Sequence, residues 1–310
     1  MKSHVEYPLP FSSLRTLSGG QEGAYLMGAM FTPNFADKAR RLAATCEKFG
    51  VPYVMHEVSA VHRSISTRGT RDLSFAKANF IRHLLDTRGK PVLYVDADCA
   101  FTAAPELIDP LARSGCDFAI YNWLADEHND AFGPVDLSVA GATPISNRYY
   151  TFSHWVEFFS NDQLLCSGPS QFYGNSENAR LLLSEWFRTV EAFPGVADDE
   201  CLDFAFNNLG PRRSALKTNW LPKSYARYRW WMYVKPVINH PEDPSMEDGA
   251  FVPLDDPAGR QRFYPERTRV RTPKPLFPRD CLIDTHQRML YRMVGSQLAP
   301  VGRTEQEFWL

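Results

Sequence analysis

The sequence lacks the features that place a protein in a membrane or in a secreted disulfide framework. No apolar run approaches the roughly 18 residues that a membrane span needs, and the N-terminal segment has no apolar core of the signal-peptide kind. The six cysteines, at positions 46, 99, 116, 166, 201 and 281, form no C-x-x-C pair. Such scattered thiols are typical of a reducing compartment rather than of disulfides or a zinc motif, so we expect a cytoplasmic protein without a membrane span.

The chain also lacks an excess of charge of either sign. Its 310 residues carry 34 Lys and Arg against 36 Asp and Glu, a net charge of -2. This balance argues against nucleic acid as a partner. Residues 211–235 hold seven basic and no acidic residues, and within a balanced chain they favour a diphosphate or another anionic ligand over nucleic acid.

Strand and helix patterns alternate in the first hundred residues. Apolar runs at 23–31, 51–61 and 91–95 predict strands. The segments 32–50 and 73–89 carry apolar residues at helical spacing and each ends in glycine, which predicts two helices between those strands. This alternation predicts an α/β fold with a mostly parallel sheet.

Two carboxylates, Asp96 and Asp98, directly follow the predicted strand at 91–95. Ligands of such sheets bind at the carboxyl ends of the strands. Two carboxylates one residue apart repel each other unless a cation lies between them, and Mg²⁺ or Mn²⁺ prefers such oxygen ligands. A solvated turn is the alternative, because Asp favours strand ends.

The second half continues with a predicted strand at 116–123 and another at 163–175. The latter leads into a turn of small residues, including Ser167 and Gly168, where the backbone could approach a ligand closely or simply form a tight turn. An amphipathic helix is predicted at 177–195, and a shorter helix begins at three acidic residues, Asp198 to Glu200.

The end of the chain is less regular. Residues 151–159 are compatible with a strand, and 234–241 read as a strand that ends at His240. The Pro- and Arg-rich segment 243–279 is predicted to wrap loosely around the fold, and 280–298 is predicted to contain a helix.

Three segments together carry a resemblance to a known family. "VLYVDADCAF" at 92–101 looks like the D-x-D segment of nucleotide-sugar-dependent glycosyltransferases of the GT-A fold. Residues 166–187 and 197–208 are similar to the later glycine-containing segment and acidic helix start of bacterial members. The resemblance extends over residues 22–242.

This resemblance implies a GT-A-like sheet, mixed but mostly parallel and flanked by helices. It implies one domain over 1–242, with a nucleotide-binding half at about 22–101 and an acceptor-binding half at about 102–242, followed by an extension at 243–310. The implied activity is metal-dependent transfer of a hexosyl group from a nucleoside diphosphate sugar to a hydroxyl of a saccharide, lipid or small molecule. Mn²⁺ or Mg²⁺ would be the cofactor.

The candidate residues fall into three roles. Metal binding is assigned to Asp96, Asp98 and His240, the last because the family often supplies a C-terminal ligand. Donor binding is assigned to Thr32, Arg63, Lys77, Asp96, Ser167 and Gly168. Asp199 is assigned to catalysis or acceptor orientation, with Asp198 beside it as the helix cap. For His240, Arg63 and Lys77 the alternative is an ordinary structural or surface role.

Two other functions are compatible with the same sequence motif. Phosphatases of the haloacid dehalogenase class also carry D-x-D after an apolar strand, although normally after their first strand and followed by Thr or Gly-Thr. A non-catalytic protein that binds nucleotide sugars is the second alternative.

Overall fold

The protein is described by a computed structural model that covers residues 15–58, 72–122, 164–192, 198–228, 236–240, 282–284, 289–294 and 297–303. The predicted strand at 151–159 and the Pro- and Arg-rich segment 243–279 lie outside these residues.

The described residues form two sheets, one of ten strands and one of three. In chain order the strands are β1 Arg15–Gly19, β2 Leu26–Phe31, β3 Tyr53–Glu57, β4 Val92–Val95, β5 Ala100–Phe101, β6 Phe118–Asn122, β7 Cys166–Tyr173, β8 Thr218–Trp220, β9 Arg227–Tyr228, β10 Ile238–His240, β11 Leu282–Asp284, β12 Met289–Val294 and β13 Gln297–Arg303.

Five α-helices lie between these strands in the described residues. They are α1 Ala36–Lys48, α2 Asp72–Arg88, α3 Ile108–Ser114, α4 Glu177–Ala192 and α5 Asp198–Asn207, and short 3-10 turns occupy Pro33–Phe35, Gly210–Ala215 and Lys223–Tyr225. In the part of the chain that the structure describes, no helix has the length and apolar character needed to cross a membrane.

The large sheet has a mostly parallel centre and an antiparallel extension. Its order is β1-β3-β2-β4-β7-β6-β8-β11-β12-β13. Strands β3, β2, β4, β6 and β8 point in one direction, while β1 and β7 run against them. The predicted fold class, a mixed and mostly parallel sheet flanked by helices, is therefore confirmed.

The two faces of the sheet bury two separate apolar clusters, because side chains alternate along each strand. On β4, Val92 and Tyr94 face the cluster that contains α2, α4 and α5, whereas Leu93 and Val95 face the cluster that contains α1 and α3. Gly28 on β2 is needed for the first packing, since a Cβ there would lie 2.4 Å from Leu84 Cδ1. Helices thus cover both faces of the sheet.

The prediction of a helix at 280–298 is wrong. Strands β11, β12 and β13 occupy most of this stretch, and β11 extends the large sheet by pairing with β8 at Ile283 and Trp220. Gly295 and Ser296 separate β12 from β13 in sequence, and two such residues between apolar runs are a hairpin signal. The open edge of β8 provides the pairing partner that favours strand over helix.

Candidate active site

The candidate site lies at the edge of the sheet where the parallel strands end. Strands β2, β4 and β6 finish at this edge, and β7 begins there because it runs in the opposite direction. The pairing of β6 with β7 shifts in register between Ile120 and Tyr121, so that Tyr121 pairs with Ser167. Bulges of this kind commonly re-aim the chain beside active sites.

The D-x-D segment is a tight turn fixed to β7. The Asp96 N–H donates to the Pro169 carbonyl at 2.9 Å, and the Cys99 N–H donates to the Asp96 carbonyl at 3.0 Å. Ala97 is buried, 6% exposed, so it anchors the turn in the core. The two aspartates on either side of it are consequently held in fixed positions.

Asp96 belongs to a partly buried ion cluster around Lys77. Lys77 Nζ, on α2, lies 3.1 Å from Asp96 Oδ1 and 2.5 Å from Asp198 Oδ2, at the start of α5. The Lys77 side chain is 10% exposed, and its ammonium lies 5.2 Å from the centre of the Tyr94 ring. Lys77 therefore joins the strand that carries the D-x-D to the acidic helix of the second half.

Charge and burial have opposite effects on the pKa values of the residues in this cluster. Burial alone would lower the pKa of Lys77, but the charges of Asp198 and Asp96 outweigh it and hold that pKa well above its usual range. Burial raises the pKa of Asp96, although Lys77 opposes the shift. Lys77 is thus a permanent cation.

A second, small sheet brings His240 to the D-x-D. Strand β5, directly after the turn, pairs antiparallel with β10, with Ile238 opposite Phe101 and Asn239 opposite Ala100. Strand β10 also pairs with β9 in parallel. His240 ends β10 and is thereby set beside the turn.

Asp98 lies between two basic side chains. His240 Nε2 lies 3.3 Å from Asp98 Oδ1, and Lys38 Nζ, on α1, lies 3.7 Å from Asp98 Oδ2. Burial would raise the pKa of Asp98, but the hydrogen bond and charge of His240, together with Lys38, hold it below its usual value. Asp98 is therefore an ionised carboxylate.

These residues fit a divalent cation. An imidazole nitrogen and a carboxylate oxygen 3.3 Å apart can both approach one ion at the usual distance of about 2 Å. Asp98, Cys99 and His240 each offer a ligand atom within 4.8 Å of the others. Lys77 makes Asp96 a weaker candidate ligand, because its carboxylate is already paired.

The prediction of a turn at Ser167 and Gly168 is wrong, because both lie within β7, where Ser167 pairs with Tyr121 of β6. The acidic start of α5 lies against this part of β7. Asp198 is the first residue of α5; its carboxylate pairs with Lys77, and its carbonyl accepts from Trp186 Nε1 at 2.8 Å. A Cβ built on Gly168 would lie 3.6 Å from Asp199 Cβ. Gly168 and Asp199, assigned to different roles, are thus neighbours at one site.

The structure gives fewer contacts for the other residues predicted to bind the donor. Thr32 follows β2 at the same edge, and its hydroxyl donates to Asn34 Oδ1 at 2.5 Å. Ser167 lies within β7, opposite Tyr121 of β6. Arg63 lies outside the described residues.

Sequence reasoning missed Lys38 and Cys99. Lys38 lies in the first turn of α1 just beyond β2, at the edge already identified, so its position offered a signal. Cys99 follows the D-x-D directly, and its 1% exposure hides it among core residues. Burial raises the pKa of the Cys99 thiol well above its ordinary value.

The order and directions of the strands, with the D-x-D at the end of β4, make the fold GT-A-like, as predicted. No family model matches the chain, and no curated protein matches it in sequence.

Three solved structures illustrate what the chain is similar to. The bifunctional glycosyltransferase WbbM is matched over 73% of this chain, with 11% identity and a TM-score of 0.47; the match spans 47% of that protein, about half of its length. A glycosyltransferase involved in glycosylation of the major capsid of PBCV-1 matches 73% of this chain and 97% of its own, at 12% identity and a TM-score of 0.44. The galactosyltransferase LgtC, in complex with donor and acceptor sugar analogs, matches 71% and 87%, at 11% identity and a TM-score of 0.43. Similarities of this size do not identify an activity, so the evidence for one has to come from the residues of the site.

Proposed function

We propose that this protein is a metal-dependent glycosyltransferase that moves a hexosyl group from a nucleoside diphosphate sugar to a hydroxyl. The observation that supports the proposal is that two clusters of charged side chains lie side by side at one edge of the sheet. Asp98 with His240 can hold a cation, and Lys77 with Asp96 and Asp198 links the two halves of the chain beside it. A transfer between two bound substrates needs a site that holds both in the right geometry.

Asp98 and His240 would hold Mn²⁺ or Mg²⁺, and Asp96 would reach the ribose of the donor or contact the ion through water. When bound, the ion would neutralise the diphosphate leaving group and orient it. The carboxylates named at this edge, Asp96, Asp98, Asp198 and Asp199, outnumber the ammonium groups of Lys38 and Lys77, so negative charge is in excess there. A divalent cation would offset this excess and favour binding of the diphosphate.

The chain's own residues would position the donor. Lys38, 3.7 Å from Asp98 and 34% exposed, can turn toward a phosphate oxygen at the mouth of the site. Gly168 has no side chain, which would let a sugar ring approach its backbone closely. Thr32, Arg63 and Ser167 remain predicted donor contacts.

Asp199 would orient or activate the acceptor hydroxyl. It lies in the first turn of α5, where the helix dipole favours a negative charge, and beside Gly168. Its neighbour Asp198 pairs with Lys77, whereas Asp199 lies beside Gly168.

A thermal-shift screen of nucleoside diphosphate sugars, with and without Mn²⁺, tests the proposal. We expect one donor to stabilise the protein only when the metal is present, and the same donor to be consumed when hydroxyl acceptors are supplied. Turnover of a generic phosphomonoester would favour the phosphatase. Donor binding without turnover across acceptor classes would favour the non-catalytic binding protein.

A further inference from the structure

Cys99 directly precedes β5, and His240 ends β10, the strand that pairs with β5 in the small sheet. The antiparallel register of β5 and β10 sets Ile238 opposite Phe101 and Asn239 opposite Ala100. Continued by one residue, the same register sets His240 opposite Cys99. Side chains at directly opposed positions of an antiparallel pair share one face, with Cβ atoms roughly 5 Å apart.

The thiol also reaches the Asp98–His240 pair. The Sγ of Cys99, a ring nitrogen of His240 and a carboxylate oxygen of Asp98 lie within 4.8 Å of one another. The Cys99 thiol donates only a long hydrogen bond, 3.8 Å, to the Pro169 carbonyl. Such a weak contact can be given up with little loss when a stronger partner arrives.

The three donor atoms differ in chemical character from an all-oxygen site. Mg²⁺ and Mn²⁺ prefer oxygen, whereas a thiolate selects softer ions such as Zn²⁺. One carboxylate, one thiolate and one imidazole are the three kinds of protein ligand that Zn²⁺ accepts, and a site with three protein ligands leaves a fourth position open. Cysteine spacing could not reveal this set, because its members come from two distant segments.

We propose that Asp98, Cys99 and His240 form a binding site for Zn²⁺ and similar soft divalent ions at the position where the proposed function places Mn²⁺ or Mg²⁺. Binding replaces the S–H bond of Cys99 by a metal–sulfur bond, and the proton passes to the buffer without any change of oxidation state. Soft ions therefore compete with the hard ion for Asp98 and His240. The inference rests on the proposed metal site but not on the sugar that is transferred.

Co²⁺ absorption spectroscopy of the full chain without nucleotide provides the first test, because a Co²⁺–thiolate bond produces a charge-transfer band in the near ultraviolet. We expect the band in the wild type and its loss in Cys99→Ser. Cys116→Ser serves as the matched control: Cys116 is also buried, but it contacts the carbonyl oxygens of Phe118 and Lys217 at the far end of β6. The control should keep the band.

Calorimetry with Zn²⁺ and Mn²⁺ provides the second test. Loss of a direct ligand in Cys99→Ser should weaken Zn²⁺ binding by roughly tenfold or more, the size that even indirect ligand contacts reach. Mn²⁺ binding should stay within experimental error of the wild type. X-ray absorption on the Zn²⁺-loaded wild type should show one sulfur at about 2.3 Å, which tests the proposal even if the variant does not fold.

Three results overturn the inference: an intact band in Cys99→Ser, unchanged Zn²⁺ affinity in that variant, or no sulfur neighbour in the wild type. If Mn²⁺-dependent donor binding persists alongside any of them, the proposed function stands. If the wild type binds no divalent ion, with or without donor, both the soft-metal site and the metal dependence of the proposed function are wrong.

Discussion

The ammonium of Lys77 lies 2.5 Å from the carboxylate of Asp198, which connects α2 in the first half of the chain to α5 in the second. The same ammonium contacts Asp96 in the D-x-D turn at 3.1 Å. One buried lysine therefore holds together the strand end and the helix end between which we place the substrates.

Replacing Lys77 by Met is expected to lower the free energy of unfolding by about 1–3 kcal/mol, because the partly buried carboxylates of Asp96 and Asp198 lose their shared partner. Urea unfolding measures this loss. The control is Arg113→Met, which breaks an exposed pair with Asp109 and should cost less than about 1 kcal/mol. Equal losses in the two variants would show that the Lys77 cluster is not buried as described.

Replacing Asp98 by Asn is expected to leave the fold intact and to weaken metal-dependent donor binding by about tenfold or more. The amide keeps the size of the side chain but removes the charge that lies beside His240 and Lys38. Calorimetry with donor and Mn²⁺ measures the change. Wild-type affinity in the variant would contradict the assignment of Asp98 as a metal ligand.

Replacing Asp199 by Ala is expected to reduce turnover by about 10²–10⁴-fold, the usual contribution of a general acid or base, while donor binding persists. Steady-state kinetics and donor calorimetry separate the two quantities. The comparison variant is Asp198→Asn, which should lose stability because Lys77 loses a partner. If Asp198→Asn loses only turnover and Asp199→Ala loses only stability, the two roles are exchanged.

Replacing Gly168 by Ala is expected to weaken donor binding while the free energy of unfolding changes by less than about 1 kcal/mol. The new Cβ would meet Asp199 and Gln171 only at ordinary contact distances of 3.6 and 3.7 Å. Gly28→Ala is the contrasting variant: its Cβ would overlap the Leu84 side chain, and overpacking of this kind costs about 1–3 kcal/mol. Unchanged donor affinity in Gly168→Ala would remove Gly168 from the donor site.

Stability is expected to fall as the pH drops below the ordinary histidine range, because His56 and His83 have lowered pKa values. Burial is the main cause for both, and for His56 the charges of His83 and Arg88 add to it. The unfolded chain takes up protons at these histidines below a pH of about 6.5, while the folded chain does so only at lower pH. The contribution of these two histidines to the free energy of unfolding is therefore fully present above that pH, and it is lost as the pH falls toward their lowered pKa values.

The variant His56→Gln should lose less stability than the wild type between about pH 7.5 and about pH 5.5, on either side of the ordinary histidine pKa. The His56 ring lies 5.5 Å from the Phe80 ring and 6.5 Å from the His83 ring. Urea unfolding at the two pH values provides the measurement. A pH dependence identical to that of the wild type would exclude His56 as a contributor.

The regular elements of the first half could be predicted because local pattern and tertiary structure agree there. Helix α2 was expected at 73–89 and lies at Asp72–Arg88, and the strand expected at 91–95 is β4, Val92–Val95. Their apolar spacing and terminal glycines are local signals. The reversed direction of β7 was not predicted, because direction depends on partners far away in sequence.

The site was predictable only in part, for the same physical reason. Asp96 and Asp98 stood out because charges after a buried strand are unusual. The contacts of Lys77 with Asp198 and of His240 with Asp98 require the folded chain. The apolar spacing of β12 and β13 predicts a helix, but the Gly295–Ser296 hairpin signal and the pairing of the two strands favour strand.

The reversed strand β7 also governs when the site can form during synthesis. It pairs with β4 through Leu93 and Phe172, and the carbonyl of Pro169 contacts both Asp96 and Cys99, which precedes it by 70 residues. A nascent chain that has emerged only as far as β6 holds the D-x-D sequence but not the strand that fixes its turn. The first half is therefore not expected to mature alone on the ribosome, and its exposed β4 edge is a place where a chaperone can act before the second half arrives.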